Sequence, residues 1–401
     1  MQFKLFNFHK LIGNFATSLV GTFIPLIIYK TTNSLRLAVL YIFGQCLCRL
    51  LSNYIFKKLF NKNPQLTLFI RVIPLLIYNI SLIFLEDFLV LGLILVPISY
   101  GINISFKNNA SGILLNYSSR KRSGKNIIIS RIVDAVSAIV ACIAGGLFID
   151  WNQTALIIFS ISLYIISVLP LFIYYLINRT KDGFNRDFIS NAAITYDNEP
   201  ELKQKRRNLV KEFIVRYFFF YAIFCVIDVF TNMYTIHMFV TSPTFAMAGY
   251  LTAMFQFANL VGLLVVGVIG KKFDYKNVNY VFAILCAIPL GVIPFLQNYL
   301  CIYALIFVFG FSYSICSYFM MNSLMSKCKI INATNKALFA RQNGIITGQM
   351  VTPVIVMIFN CITPVFFVMV GALIIYAIYT NIAEDKLRKK LVDYLENNEI
   401  E

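Results

Sequence analysis

The stretch SRIVDAVSAIVACIAGGLFID, Ser130 to Asp150, is about as long and as apolar as one bilayer crossing. It nevertheless carries Arg131, Asp134 three residues later, and the pair Gly145–Gly146. A charge at the bilayer centre costs about 2.5–3.5 kcal/mol on insertion scales, so such residues should face a protein interior or water and find partners. Small residues let membrane helices approach closely, because lipid supplies no hydrophobic drive between them. A helix with both features is expected inside a bundle of membrane helices, and the rest of the chain bears that expectation.

Of the 401 residues, 59% are hydrophobic and 13% charged, and the mean hydropathy is +0.74. Soluble domains are roughly half apolar and a quarter charged. The net charge of +17 would fit nucleic acid only if the basic residues shared a solvated face. Here they fill short gaps between hydrophobic runs, so the expected partner is a lipid bilayer and not nucleic acid. The nine cysteines are odd in number, scattered, and contain no CxxC, and His9 and His237 lie far apart. They point to packing residues, with no disulfide framework, metal site or cofactor. The first apolar run, from Leu11, is of spanning length and is followed by no cleavage site.

Twelve runs of spanning length are expected at about 11–30, 35–56, 66–85, 88–113, 126–149, 154–176, 213–237, 245–269, 278–296, 299–325, 341–360 and 362–382. With the N-terminus placed in the cytoplasm, 27 of the 35 Lys and Arg fall in inner segments and only Lys30 and Arg36 in outer ones. That asymmetry is the positive-inside signature, and a miscounted helix would scramble it. The reading is an all-α polytopic membrane protein with both termini cytoplasmic, taken as a monomer in a plasma membrane. Its segments are a six-helix bundle over 1–176, a cytoplasmic linker over 177–212, a second bundle over 213–382 and a tail over 383–401. Leu387, Leu391, Tyr394 and Leu395 give the tail one apolar helical face, suited to the inner leaflet. Abundant Ile, Asn and Lys with a single Trp suggest an AT-rich bacterial genome.

The halves repeat each other. FKKLFNK (Phe56–Lys62) is echoed by GKKFDYK (Gly270–Lys276), and Ile73–Pro74–Leu75 by Ile288–Pro289–Leu290. Gly101 and Arg131 are echoed by Gly310 and Arg341 at nearly the same separation. Matches in order, half a chain apart, indicate duplication.

With these features the chain resembles the major facilitator superfamily of secondary transporters over nearly its whole length. The family's inner-loop motif G-x-L-x-D-R-x-G-R-K is matched after helix eight at Gly267, Lys272 and Lys276, with Lys271 in the acid's place. After helix two the copy is poorer, with Asn53 at the first glycine and Lys57 at the acid. The exporter-type helix-five pattern G-P-x-x-G-G keeps only Gly145 and Gly146. The resemblance implies two pseudo-equivalent six-helix lobes, alternating access to a midplane site, and packing of helix five on helix eight. Arg131 and its repeat mate Arg341 are then expected as gate residues.

Only two acids lie within spans, Asp134 and Asp228. A proton-coupled carrier needs a carboxyl that changes protonation between states, and both are candidates. The alternatives are structural: Asp134 paired with Arg131 or Arg49, and Asp228 held by Lys107, Arg49, Arg71 or Asn232. Polar residues expected to line a substrate cavity are Asn14, Gln45, Arg49, Asn103, Lys107, Gln256, Asn259, Gln342 and Asn343. Five arginines and a lysine against two acids make the spans net basic, which favours an anionic or zwitterionic substrate. No Walker-type phosphate loop is present, and no cluster of acids or histidines suited to a membrane enzyme. A secondary carrier, with efflux as one direction, is therefore expected ahead of a sensor or accessory protein derived from such a carrier, and ahead of a membrane transferase.

Overall fold

A computed structural model of the protein describes residues 2–62, 64–118, 123–179, 200–241, 243–269, 275–330 and 334–396. Eleven helices among them are long and apolar enough to cross a membrane. One, Ser123–Arg179, has 57 residues and leaves helical geometry at Asn152 (φ −156°, ψ 103°). Unbroken, it would run about 85 Å at 1.5 Å per residue, far beyond a hydrocarbon core of about 30 Å. The Asn152 side chain instead accepts a hydrogen bond from Ala155 N at 2.9 Å and caps the second piece. The number of spans among the described residues is therefore twelve.

They are α1 (Phe6–Thr32), α2 (Leu35–Ile55), α3 (Pro64–Ile83), α4 (Leu89–Ser118), α5 (123–151), α6 (153–179), α7 (200–241), α8 (Phe245–Ile269), α9 (Tyr275–Val292), α10 (Tyr299–Ile330), α11 (Thr334–Phe359) and α12 (Thr363–Glu396). Local chemistry sets their ends and breaks. Asn33 and Asn360 end α1 and α11 in the left-handed conformation (φ 53° and 48°), which asparagine tolerates and a helix C-terminus uses. In α3, Pro74 has no N–H to offer the Ile70 carbonyl. The helix breaks there into Pro64–Ile70 and Val72–Ile83, with Arg71 at the joint. In α7, helix Pro200–Phe224 tightens into a 3₁₀ segment, Cys225–Val229, before Phe230–Thr241. Such a segment within a longer helix often marks a functional hinge, and this one carries Asp228.

Large apolar side chains on the outside recur at helical spacing, among them Ile73, Ile77 and Ile80 on α3 and Ile165, Leu169, Phe172 and Leu176 on α6. In water such a belt would aggregate; in a bilayer it faces its solvent. Most described cysteines are buried packing residues, while Cys301 and Cys361 are exposed.

Helices of the first half pack mainly on one another, as do those of the second half, and three pairs chiefly join the halves: α1/α7, α2/α11 and α5/α8. The duplication is visible in the packing. A Cβ on Gly101 of α4 would lie 2.6 Å from the Gln45 carbonyl oxygen of α2, and one on Gly310 of α10 would lie 2.8 Å from the Phe255 carbonyl oxygen of α8. Equivalent glycines thus close equivalent helix crossings in the two halves.

Two expectations about the inner segments change. The part of the 177–212 linker from Pro200 onward is helical and continues into α7; its earlier part, 180–199, lies outside the described residues. The tail continues α12 to Glu396, and Leu387 and Leu391 are buried in the same cluster as Leu209 and Phe213 of α7. Glu212 ties the two, accepting from Lys390 at 2.6 Å and from Arg216. The apolar face expected on the leaflet is covered by protein, because α7 extends far enough to offer a partner. Tyr394 and Leu395 carry no described side-chain placement.

Candidate functional site

Between the halves lies a cavity of two joined compartments. The wider, about 400 Å³, is lined toward the end of the basic loops by residues including Lys57, Gly112, Arg131, Leu338 and Arg341. The deeper, about 290 Å³, is lined by α1, α2, α3, α4, α7, α8 and α11, including Thr17, Tyr41, Gln45, Arg71, Asn103, Thr252 and Gln256. Arg49, Lys107, Asn108, Asp228 and Gln349 line both and mark the junction.

Asp228 is the acid at that junction. Tyr313 Oη of α10 donates to its Oδ1 at 2.6 Å and Gln349 Nε2 of α11 donates to its Oδ2 at 3.2 Å. Arg49 Nη1 of α2 donates to Gln349 Oε1 at 2.7 Å. Among the described residues Asp228 therefore has neutral hydrogen-bond donors, and the Gln349 amide links it to Arg49. None of the four alternative partners, Lys107, Arg49, Arg71 or Asn232, bonds it. Its position follows from a close approach of α11 to α7. Gly344 and Gly348 of α11 face α7, where a Cβ on Gly344 would lie 2.5 Å from the Phe218 carbonyl oxygen. Gly348 meets Ala222, Cys225 and Val226, where α7 turns into its 3₁₀ segment. Side chains at those positions would hold Gln349 away from Asp228.

Asp134 has a different environment from the one expected. Its partner is Lys10 of α1, whose Nζ donates to Asp134 Oδ2 at 2.5 Å and to Ser130 Oγ at 2.6 Å. Asn14 Nδ2 donates to the other carboxylate oxygen. Neither Arg131 nor Arg49 pairs with it. Helical structure already begins at Gln2, ahead of the span α1, and carries Lys10 to the wall of the wider compartment.

The other cations divide by role. Arg71, 2% exposed, donates from Nε to Asn103 Oδ1 at 2.6 Å and stacks over the Tyr164 ring at 5.0 Å. Lys107 makes no hydrogen bond or ion pair with a described residue, and neither does Arg131. Arg341 lies over the Tyr221 ring at 5.2 Å. Arg131 and Arg341, from opposite halves, both line the wider compartment.

Of the remaining expected cavity residues, Gln45, Asn103 and Gln256 line the deeper compartment and Gln342 the wider one. Asn14 is taken up by Asp134, and Asn343 joins the halves by accepting from Asn53 at 2.9 Å and donating to the Tyr54 hydroxyl at 3.3 Å. Asn259 lines neither compartment, and its buried Oδ1 lacks a partner. Gly145 abuts Leu19 and Phe23 of α1, and Gly146 abuts Phe245 of α8, so both serve helix contacts. Gly267 is exposed, Lys272 lies outside the described residues, and Lys276 carries no described side-chain placement. Lys57, in the acid's place of the inner-loop motif, instead sets its ammonium over the Phe339 ring of α11 at 4.4 Å.

At the opposite end the halves meet through Tyr29 and Phe239, with ring centroids 6.2 Å apart, and through Asp150, which accepts from Phe245 N and Ala246 N of α8. The signals for Lys10 and Tyr313 were absent from the sequence. The GIITG run of Gly344–Gly348 was a readable small-xxx-small motif.

A bundle of twelve membrane helices enclosing a polar, charged cavity between two halves is the architecture of a solute transporter. The sequence profile of the Major Facilitator Superfamily matches residues 11–340, and the chain belongs to that family. Solved structures of the nucleoside transporter NupG and of a point mutant of it are similar in fold, with TM-scores of 0.63 and 0.64, 13% and 12% identity, and coverage of 94% of this chain and 97% and 98% of theirs. A single-residue variant of the E. coli fucose:proton symporter FucP gives a TM-score of 0.58 at 12% identity, covering 95% of this chain and 98% of its own. A search of the curated proteins finds no match. The chain is a multi-pass membrane protein of a secondary-transporter family, which indicates a transporter rather than an enzyme.

Proposed function

We propose that the protein is a proton-coupled secondary carrier of a small anionic or zwitterionic solute, working by alternating access. The two lobes, 1–176 and 213–382, rock about the cavity, with the segment 177–212 linking them and 383–401 following. Both termini lie in the cytoplasm of a cell whose plasma membrane holds the carrier as a monomer. The observation that carries the reading is Asp228, a carboxyl at the junction of both compartments that is held by neutral donors and has no ion-pair partner among the described residues. A carboxylate fixed by a cation keeps one charge state, whereas one held by a phenol and an amide can exchange a proton at small structural cost. Asp134, neutralised by Lys10, is assigned a structural role in α1/α5 packing. Arg49, Lys107 and Arg71 meet the solute's negative charge, and Arg131 and Arg341 line its route at the basic end.

The test is proton movement in proteoliposomes carrying a pH-sensitive dye, driven by gradients of organic anions and amino acids. The wild type acidifies or alkalinises the lumen with solute flux, while Asp228→Asn exchanges solute without moving protons. Equal proton movement by both proteins would overturn the assignment.

A further inference from the structure

Four residues that line the deeper compartment each have a buried polar atom with no hydrogen-bond partner among the described residues: Tyr41 Oη, Gln45 Oε1, Arg49 Nε and Arg71 Nη2. These residues are 3%, 8%, 7% and 2% exposed. Buried donors and acceptors are nearly always satisfied in folded proteins, and each exception calls for an unplaced water or ligand. Four exceptions in residues around one cavity, two of them on guanidinium groups, point to a ligand.

The supporting contacts pre-organise the cations. Arg71 is fixed through Nε by Asn103 and by the Tyr164 ring, and its buried Nη2 has no partner among the described residues. Arg49 is fixed through Gln349. Lys107 reaches the same space and has no partner of its own among the described residues. Across from these three cations Asp228 is the carboxylate on the wall, so the empty compartment carries a local excess of positive charge. The lining also holds hydroxyls and amides, notably Thr17, Thr252, Asn232 and Gln256, beside apolar residues such as Ile42, Ile104 and Val229. Groups that both donate and accept match ligand hydroxyls, which do the same. A volume of about 290 Å³ is at the lower edge of small-molecule sites and suits a body the size of one sugar.

We propose that the substrate is a hydroxylated organic anion of about hexose size, its carboxylate or phosphate held by Arg49, Arg71 and Lys107 and its hydroxyls by Gln45 and the threonines and amides opposite. This deepens the carrier reading and rests on it. Because a sugar acid and a sugar phosphate present the same chemistry, the experiment separates them.

Purified full-length protein in detergent is titrated by calorimetry with gluconate, glucose 6-phosphate, glucose and inorganic phosphate. One of the two hydroxylated anions is expected to bind at least tenfold more tightly than glucose and than inorganic phosphate, and the winner names the acid group. Lys107→Met, which removes no hydrogen bond or ion pair among the described residues, should weaken that ligand at least tenfold at unchanged melting temperature. Gln45→Leu should weaken it less, and Arg71→Lys, which keeps charge but loses the second donor, more than fivefold. Equal binding of glucose, absence of binding by both anions, or Lys107→Met binding like the wild type overturns the proposal. Solute flux of another chemical class with no binding of these anions would sink the substrate class and leave the carrier standing. Binding with no flux of the bound anion in proteoliposomes would sink the carrier reading instead.

Discussion

Asp150 closes the α8 end of the molecule, and removing it should open that end. Its carboxylate, at the end of α5, accepts from the first two backbone amides of α8, Phe245 N at 3.2 Å and Ala246 N at 3.0 Å. Those amides have no acceptor within α8, and the helix N-terminus carries partial positive charge. A capping acceptor contributes about 0.5–2 kcal/mol, and a negative charge at a helix start about 0.3–1 kcal/mol. Asp150 is exposed, so water and salt screen it and the sum lies near the low end, about 1–1.5 kcal/mol. The contact joins the two halves and exists only while that end is closed. Losing it in Asp150→Ala should therefore raise the ratio of open to closed molecules about 5- to 12-fold. Asp150→Asn, which keeps an acceptor oxygen and loses the charge, should raise it about 2- to 5-fold. Spin labels at Arg36 and Thr244, exposed positions at this end on opposite halves, in a cysteine-free background would report it. Double electron–electron resonance should show a longer-distance population growing in the order wild type, Asn, Ala. Distance distributions that agree within twofold in all three proteins would refute the latch. The loops after α2 and α8 carry Lys57 and Lys271 where the family's motif has an acid.

The remaining expectations are local. Asp134→Asn strands the Lys10 ammonium, which is only 11% exposed, and should cost roughly 2–4 kcal/mol of stability; Lys10→Met combined with Asp134→Leu should recover most of it, read as melting temperature in detergent. Gly344→Ala forces α11 off the Phe218 carbonyl of α7 by roughly 0.5–1 Å and should destabilise by about 1–3 kcal/mol while weakening proton-coupled flux more than Asp134→Asn does, because Gln349 no longer reaches Asp228. Asn343→Leu removes the bonds to Asn53 and Tyr54 and should loosen α2 from α11, seen as faster maleimide labelling of a cysteine placed at Phe339; labelling at the wild-type rate would count against that contact as a closure.

How far the sequence could be read follows from the range of each signal. Twelve helices were legible because a span is written in about twenty consecutive residues and its sidedness in the loop beside it. Even the break at Asn152 between α5 and α6 was announced by the polar run around Asp150, Trp151 and Asn152. Asp228 stood out because a carboxyl in an apolar run is costly wherever the helix goes. Its partners did not, since Tyr313 and Gln349 approach from two other helices.

By itself, then, the chain determined its span count, its two-fold duplication and which few charges must be buried, because each is a property of one segment in lipid. Tertiary structure alone decided that Lys10 neutralises Asp134 while Asp228 is hydrogen-bonded by neutral donors, and that Arg49 and Arg71 line one cavity. The physical reason is reach. A side-chain bond a few ångströms long depends on helix rotation and crossing, which glycines such as Gly146, Gly344 and Gly348 set through contacts with residues far away in the chain.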